Sequence, residues 1–485
     1  MLLSRSLGEI KDVRSGEVWT ADDLRAGMAR CRAGFQAAGV GAGDNVVIGH
    51  GGTARFFSEL FAVWSLRATA VCTNPSLTRN EVEHVLAFVE PKVMSRTPLE
   101  EGSSEIGGVP LLDLWSDTGI TADPVAETDL LPDEDWPALI LFTSGTTGTP
   151  KGVVHSAATL RARLRLNLEH LSVDELKHSL CVLPTHFGHG LIGNCLTPLA
   201  AGCRLLLYCN PGVDGAARLA SHIDAEAVTF MSSVPSFWKV ALRAGPPPVR
   251  ASLKRVHVGS APLAADLWQA IETWTGGAAV WNLYGLTETA NWTAGAGPEA
   301  GQHRDGLVGS MWGGEAAVLS AEGEVLKVGE GEVLLKTPSL MVGYYKRPDL
   351  TAEVIQDGWY RTGDHGRIDE DGVVQLVGRR KNEINRAGMK VLPEEIDLLL
   401  ERHPDVLEAC AFGLPDPISG ETVAVAVRLG DAAEATPQIL KRWCTDYIRQ
   451  ECIPERWFVV GEIPKTDRGK INRDIVREAC LASKG

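Results

Sequence analysis

Strand-length apolar runs alternate with helix-period stretches from the N-terminus to residue 290. Gly16–Thr20 reads as a short strand or hairpin arm. Thr20-Ala-Asp-Asp reads as a helix start with acids in the first turn, and that helix runs to about Gly39. Asp44–Ile48 is a strand, Ala54–Arg67 a helix, Thr69–Cys72 a strand and Thr78–Phe88 a helix. Trp136–Phe142 and Gly152–His155 read as strands on either side of a polar loop, and Arg204–Tyr208, Ala227–Met231 and Arg255–Val258 as buried strands. The alternation predicts an α/β fold with largely parallel sheets. Ligands of such folds sit where strand ends run into Gly or Pro, as at Gly259-Ser-Ala-Pro262. Residues 95–135 are acidic, rich in Gly, Pro and Ser and weakly periodic, and read as a surface excursion.

From about 330 the texture becomes β-rich, with Gly331–Lys336 and then Gly366–Val377 around an Asp371-Gly372 hairpin turn. After a basic knot, Gly378–Lys381, comes a compact unit. It holds a helix over Pro393–Arg402 with Pro in its first turn, a strand over Thr422–Arg428, and helices near 437–450 and 472–482. The boundary falls between residues 380 and 381. A large N-terminal domain of several subdomains (1–380), with parallel-type sheets plus a β-rich subdomain, precedes a small α+β C-terminal domain (381–485).

Composition narrows the function. The 485 residues carry 47 basic and 62 acidic side chains, a net charge of −15. That excludes nonspecific attraction to nucleic acid or anionic lipid. The 10 cysteines form no C-x-x-C pair and read as reduced, mostly buried thiols. The N-terminus is not a signal peptide, and no apolar run approaches membrane-spanning length. A soluble cytoplasmic protein is expected, with no nucleic-acid or membrane partner; a homodimer stays open.

The chemistry is written most densely at Phe142–Val153. Thr143, Ser144, Thr146, Thr147 and Thr149 surround Gly145, Gly148 and Gly152, with Lys151 behind them. Glycines let backbone N–H groups curl toward an anion, and hydroxyls and an ammonium add donors, so the loop suits a polyphosphate. It is not the kinase-type loop, because Lys151 stands between Pro150 and Gly152.

Four further segments follow in order: Asn282-Leu-Tyr-Gly-Leu-Thr-Glu-Thr289, Trp359-Tyr-Arg-Thr-Gly-Asp364, Gly378-Arg379 through Gly388, and Pro464-Lys-Thr-Asp-Arg-Gly-Lys-Ile-Asn-Arg473. Together with the loop, over essentially the whole chain, they resemble the adenylate-forming superfamily of acyl-CoA synthetases, peptide-synthetase adenylation domains and luciferases. The resemblance implies an AMP-forming ligase. A carboxylate attacks the α-phosphorus of ATP, pyrophosphate leaves, and the acyl group passes to an acceptor. It also implies a mobile C-terminal domain.

The resemblance assigns roles by position. Thr143, Ser144, Gly145, Thr146, Thr147, Gly148 and Lys151 hold the phosphates. Glu288, with Thr146, binds Mg²⁺, and Thr287 contacts the α-phosphate. Tyr284 stacks on adenine against Gly259, Ser260 and Ala261, with Asn282 and Gly285 in the same segment. Asp364 accepts from the ribose diol, and Arg379 reaches ribose or phosphate. Lys470 bridges the carboxylate and the α-phosphate, and Lys381 aligns with the hinge. His186 aligns with the gate of the acceptor tunnel, with His189 nearby.

In amino-acid-activating relatives an Asp follows the gate; here Phe187 stands there, which excludes an α-amino acid as the group activated. The other candidate pocket residues are Leu191, Asn194, Phe237, Trp238, Ser260, Trp281, Ala290 and Asn291, an apolar or neutral lining suited to an aryl, cyclic or medium aliphatic acid. Coenzyme A is the expected acceptor. Ile453-Pro454 replaces a lysine often found before that Pro, and the small domain is not basic. The alternative is transfer to an amine, as in coronafacate-ligase-like amide synthetases. A non-catalytic nucleotide-binding regulator predicts decay of Lys151, Glu288, Asp364, Arg379 and Lys470, all of which are present.

Overall fold

A computed structural model describes residues 7–95, 103–115, 134–143, 151–209, 211–379, 382–386, 389–417, 419–466 and 470–482. Its described strands form sheets of 15, 8 and 5 strands. In the largest, Arg204–Leu207, His178–Cys181, Phe230–Ser233, Arg255–Gly259 and Ala279–Leu286 run parallel in that spatial order. Asn291–Ala296 then folds back antiparallel and leads into the β-rich part. In the second sheet Val93–Ser95, Asn45–Ile48, Thr69–Cys72 and Pro137–Thr143 are parallel neighbours.

The helices start as the sequence reads. Thr20 and Asp23 form a reciprocal capping box at the head of Ala21–Ala37, and Thr78 and Glu81 do the same for Arg79–Val89. The helix Ala54–Ser65 is buried on nearly every side. It touches strands of both large sheets, so its all-round apolar character matches a position between two layers.

Some expectations shift. The run 95–135 includes Val109–Leu112, which pairs in parallel with Val93–Ser95 and buries Leu111, so this part is sheet rather than surface excursion. The strand expected over 227–231 lies at Phe230–Ser233, because Ala227 takes a left-handed φ of 48° that closes the preceding helix. Among the described residues no helix is long and apolar enough to cross a membrane.

The third sheet, from Ile384 onward, has its own apolar clusters. Its helix Pro393–Glu401 packs on the strand Val374–Arg379. Lys239 and Glu401 form an ion pair at 2.7 Å across this seam, and Arg402 pairs with Asp305. The two-residue strand Gly343–Tyr344 pairs with Lys151–Ser156 in the second sheet. Its flanking strands Gly329–Lys336 and Trp359–Ile368 belong to the first.

Candidate active site

The hairpin Pro137–Thr143/Lys151–Ser156 brings Thr143 opposite Lys151. Ser144, Gly145, Thr146, Thr147 and Gly148 lie outside the described residues, as do Lys381 and Gly388; Thr143 and Arg379 are described in their backbone alone. Lys151 Nζ sits 5.3 Å over the Tyr344 ring. The Tyr344 hydroxyl donates to Glu288 Oε1 at 2.8 Å. Burial, and then the Glu288 charge, push the Tyr344 phenol up, so it stays a donor. Glu288 is itself buried, and its carbonyl accepts from Met341 N at 2.7 Å.

Thr287 is held from behind. His155 Nε2 lies 2.7 Å from the Thr287 carbonyl, so that nitrogen carries the proton. Burial pulls the pKa of His155 down to about 4, leaving it neutral. The buried Arg163 has hydroxyl and carbonyl partners, Ser339 Oγ at 2.6 Å, Thr337 Oγ1 at 3.2 Å and the Trp312 carbonyl at 3.2 Å. Ser339 Oγ in turn donates to the Thr289 carbonyl, bracing the Thr287–Thr289 turn.

Tyr284 and Asp364, singled out separately in the sequence, meet: the phenol donates to Asp364 Oδ2 at 2.6 Å. Asn282 spends its side-chain amide on the Leu307 carbonyl at 2.7 Å. Gly285 is confined by backbone, since a Cβ there would lie 1.9 Å from the Asn291 carbonyl oxygen. A Cβ on Gly259 would lie 2.7 Å from the Leu283 carbonyl oxygen.

Ser260 Oγ is 2.8 Å from His189 Nδ1, and Ser232 Oγ is 2.6 Å from His189 Nε2. Burial, and then the positive charge of Lys470, press the pKa of His189 down to about 3. The tail lysine thus acts electrostatically on a residue of the large domain. Its loop is closed by Thr466 N donating to the Lys470 carbonyl at 2.7 Å. The small domain is docked so that the Lys470 charge reaches His189.

His189 opens an eight-residue π-helical segment, His189–Leu196, a local geometry frequent at functional sites. From this segment Leu191 is buried in the main core, and Asn194 Nδ2 donates to the Leu180 carbonyl at 3.2 Å. Phe187 packs on His186 with ring centres 4.0 Å apart. His186 lines a groove of about 270 Å³ with Arg14, Gly52, Thr185, Tyr208 and Cys209. Trp238 points into the core, its N–H on Ser233 Oγ at 2.6 Å and its ring against Trp274. Phe237 packs against the same core. Trp281 lies 4.0 Å from the Arg255 guanidinium carbon, and Ala290 takes a left-handed φ of 57° ahead of Asn291.

Sequence reasoning did not find His155, Ser232, Arg163 or Tyr344. None has a local signal beyond lying near a motif.

The Pro137–Ser156 hairpin beside a buried glutamate, a tyrosine–aspartate pair, and a tail lysine whose charge reaches His189 match an adenylate-forming ligase. The chain belongs to the AMP-binding enzyme family: that family's profile matches residues 8–345, and the profile of the AMP-binding enzyme C-terminal domain matches residues 395–470. An oxalate–CoA ligase of Arabidopsis thaliana is 32% identical over 463 residues, 92% of this chain and 90% of that protein. ATP-bound MatB from Rhodopseudomonas palustris superposes with a TM-score of 0.87 at 25% identity, covering 98% and 96% of the two chains. The amide bond synthetase McbA from Marinactinospora thermotolerans gives 0.81 at 25% identity, covering 98% and 97%. The chain is an AMP-forming enzyme of ATP-dependent acid ligation.

Proposed function

We propose that this ligase activates a carboxylic acid other than an α-amino acid as its acyl-adenylate and then passes the acyl group to the thiol of coenzyme A. The observation that carries the first step is that the Lys470 charge reaches His189, which is hydrogen-bonded to Ser260. Two anions must meet, and a cation between them lowers the electrostatic barrier. The carboxylate oxygen bonds to the α-phosphorus as the bond to the bridging oxygen breaks, and pyrophosphate carries away the electron pair. Lys470 bridges the two reactants as a point charge.

The Thr143–Lys151 loop cradles the leaving phosphates. Tyr284 and the Gly259-Ser260-Ala261 turn flank adenine, Thr287 contacts the α-phosphate, and Asp364 with Arg379 takes the ribose. Glu288 fits Mg²⁺, because a buried carboxylate is a hard oxygen ligand and Tyr344 engages its Oε1; Thr146 would be the second ligand. Bound there, Mg²⁺ would offset phosphate charge. In the second step the small domain swings about Lys381, withdrawing Lys470, and the thiol enters past His186 to attack the acyl carbon as AMP leaves.

Likeness to an amide bond synthetase supports a second reading, transfer to an amine. Incubating the enzyme with ATP, an acid panel, and either CoA or amino acids decides by mass spectrometry. A thioester product retires the amide reading; amide without thioester retires the CoA reading.

A further inference from the structure

Behind His189, three buried donors sit on side chains grouped around the Trp292 ring. Asn291 Nδ2, Trp292 Nε1 and His257 Nδ1 have no hydrogen-bond partner among the described residues. Their residues are 7%, 2% and 0% exposed, so solvent does not serve them. The rings of His257 and Trp292 lie 4.5 Å apart, and those of His189 and Trp292 6.0 Å. A Cβ on Gly193 would fall 2.0 Å from Asn291 Nδ2 and 2.9 Å from Trp292 Cε2, so the amide and the indole edge meet over that glycine.

All three are donors. Arg255 Nε can only donate, and it lies 2.8 Å from His257 Nε2. That nitrogen therefore accepts, and the imidazole proton sits on Nδ1. Burial, followed by the Arg255 charge, keeps His257 neutral. A buried donor left unmet is costly, and native folds avoid it. Three in one place, backed by a cation through His257, call for an acceptor.

We propose that these donors form the far end of the acid pocket, and that the substrate is a short carboxylic acid bearing a second oxyanion, a carboxylate or a sulfonate. The inference rests on the ligase reading above. The reacting carboxylate lies by Lys470 and His189, and Trp292 stands one ring behind. Phe230 and Trp312 pack beyond it, with ring centres 6.1 and 6.3 Å from Trp292. Trp238, which lends the sequence much of its hydrocarbon-pocket character, is packed into the core, and Phe237 lies half-buried against it. The far end is thus built of N–H groups.

The test is acid-dependent ATP–pyrophosphate exchange with shape-matched pairs, malonate against 3-methylbutanoate and succinate against 4-methylpentanoate, plus benzoate. Asn291→Asp keeps the side-chain shape and tolerates the left-handed φ of 90° at this position. Trp292→Phe keeps a ring and removes the N–H. Wild type is expected to favour at least one diacid over its hydrocarbon partner by roughly tenfold or more in kcat/KM, with each variant losing most of that ratio and KM for ATP little changed. The inference is overturned, with the ligase intact, if benzoate or the hydrocarbon partners are the better substrates. It is overturned equally if both variants keep the wild-type ratio. Exchange with no acid at all would overturn the ligase reading and this one with it.

Discussion

Tyr344 O–H donates to Glu288 Oε1 across 2.8 Å while the same ring lies 5.3 Å beneath Lys151 Nζ. One tyrosine therefore touches both the carboxylate of Glu288 and the ammonium of Lys151. Tyr344→Phe removes a hydrogen bond to a charged group, worth about 1.5–3 kcal/mol. Expressed in the transition state, that lowers kcat roughly ten- to hundredfold. Pyrophosphate exchange across a Mg²⁺ titration measures it, and a variant matching wild type at every Mg²⁺ concentration removes Tyr344 from the site.

Lys470→Ala is expected to suppress adenylate formation by about three orders of magnitude or more, with ATP still bound by calorimetry. It also removes the second of the two causes that depress His189. The His189 pKa, followed by NMR, rises, yet stays below the ordinary histidine value because burial remains. Near-normal exchange by this variant would refute the assignment.

His155 titrates near 4 in the fold and near 6.5 when unfolded. Between these values the unfolded chain binds the extra proton. The contribution to stability is therefore full above pH 6.5 and lost as pH falls toward 4. Gln at 155 keeps a donor for the Thr287 carbonyl without a titrating ring. Between pH 7 and 4.5 the wild type should lose on the order of 2 kcal/mol more stability than His155→Gln, read from urea midpoints at both pH values. Parallel losses would disprove the burial of a neutral imidazole.

The Lys239–Glu401 pair tethers the small domain with the Lys470 charge reaching His189. Partly exposed pairs contribute about 0–1 kcal/mol. Glu401→Gln should slow adenylation, and favour the thioester step, by no more than roughly fivefold. Single-turnover measurements of the two half-reactions test this, and a larger change would mean the tether governs the domain equilibrium.

The nucleotide chemistry was legible because each motif concentrates unusual side chains in a few residues. Phe142–Val153 and Asn282–Thr289 need no third dimension to suggest an anion and a metal. The bracing was illegible because it runs across long separations: Tyr344 reaches Glu288 over 56 residues and His155 reaches Thr287 over 132. Trp238 reads as a pocket residue because it stands near pocket motifs in the chain, and only tertiary packing turns it onto Trp274. Strand-versus-helix alternation gave the α/β class, whereas 109–112 hid as a strand because turn-forming residues surround it.

The short strand Gly343–Tyr344 is a stitch: the polypeptide leaves one sheet, adds two residues to the other, and returns. The enzyme therefore cannot be divided into independently working halves at any break between 157 and 342. A fragment ending there carries the Pro137–Ser156 hairpin but not the tyrosine strand that pairs with it, and the complementary fragment carries that tyrosine with no strand to pair against. Split-protein designs cut in this interval should recover activity only when the pieces are brought back together.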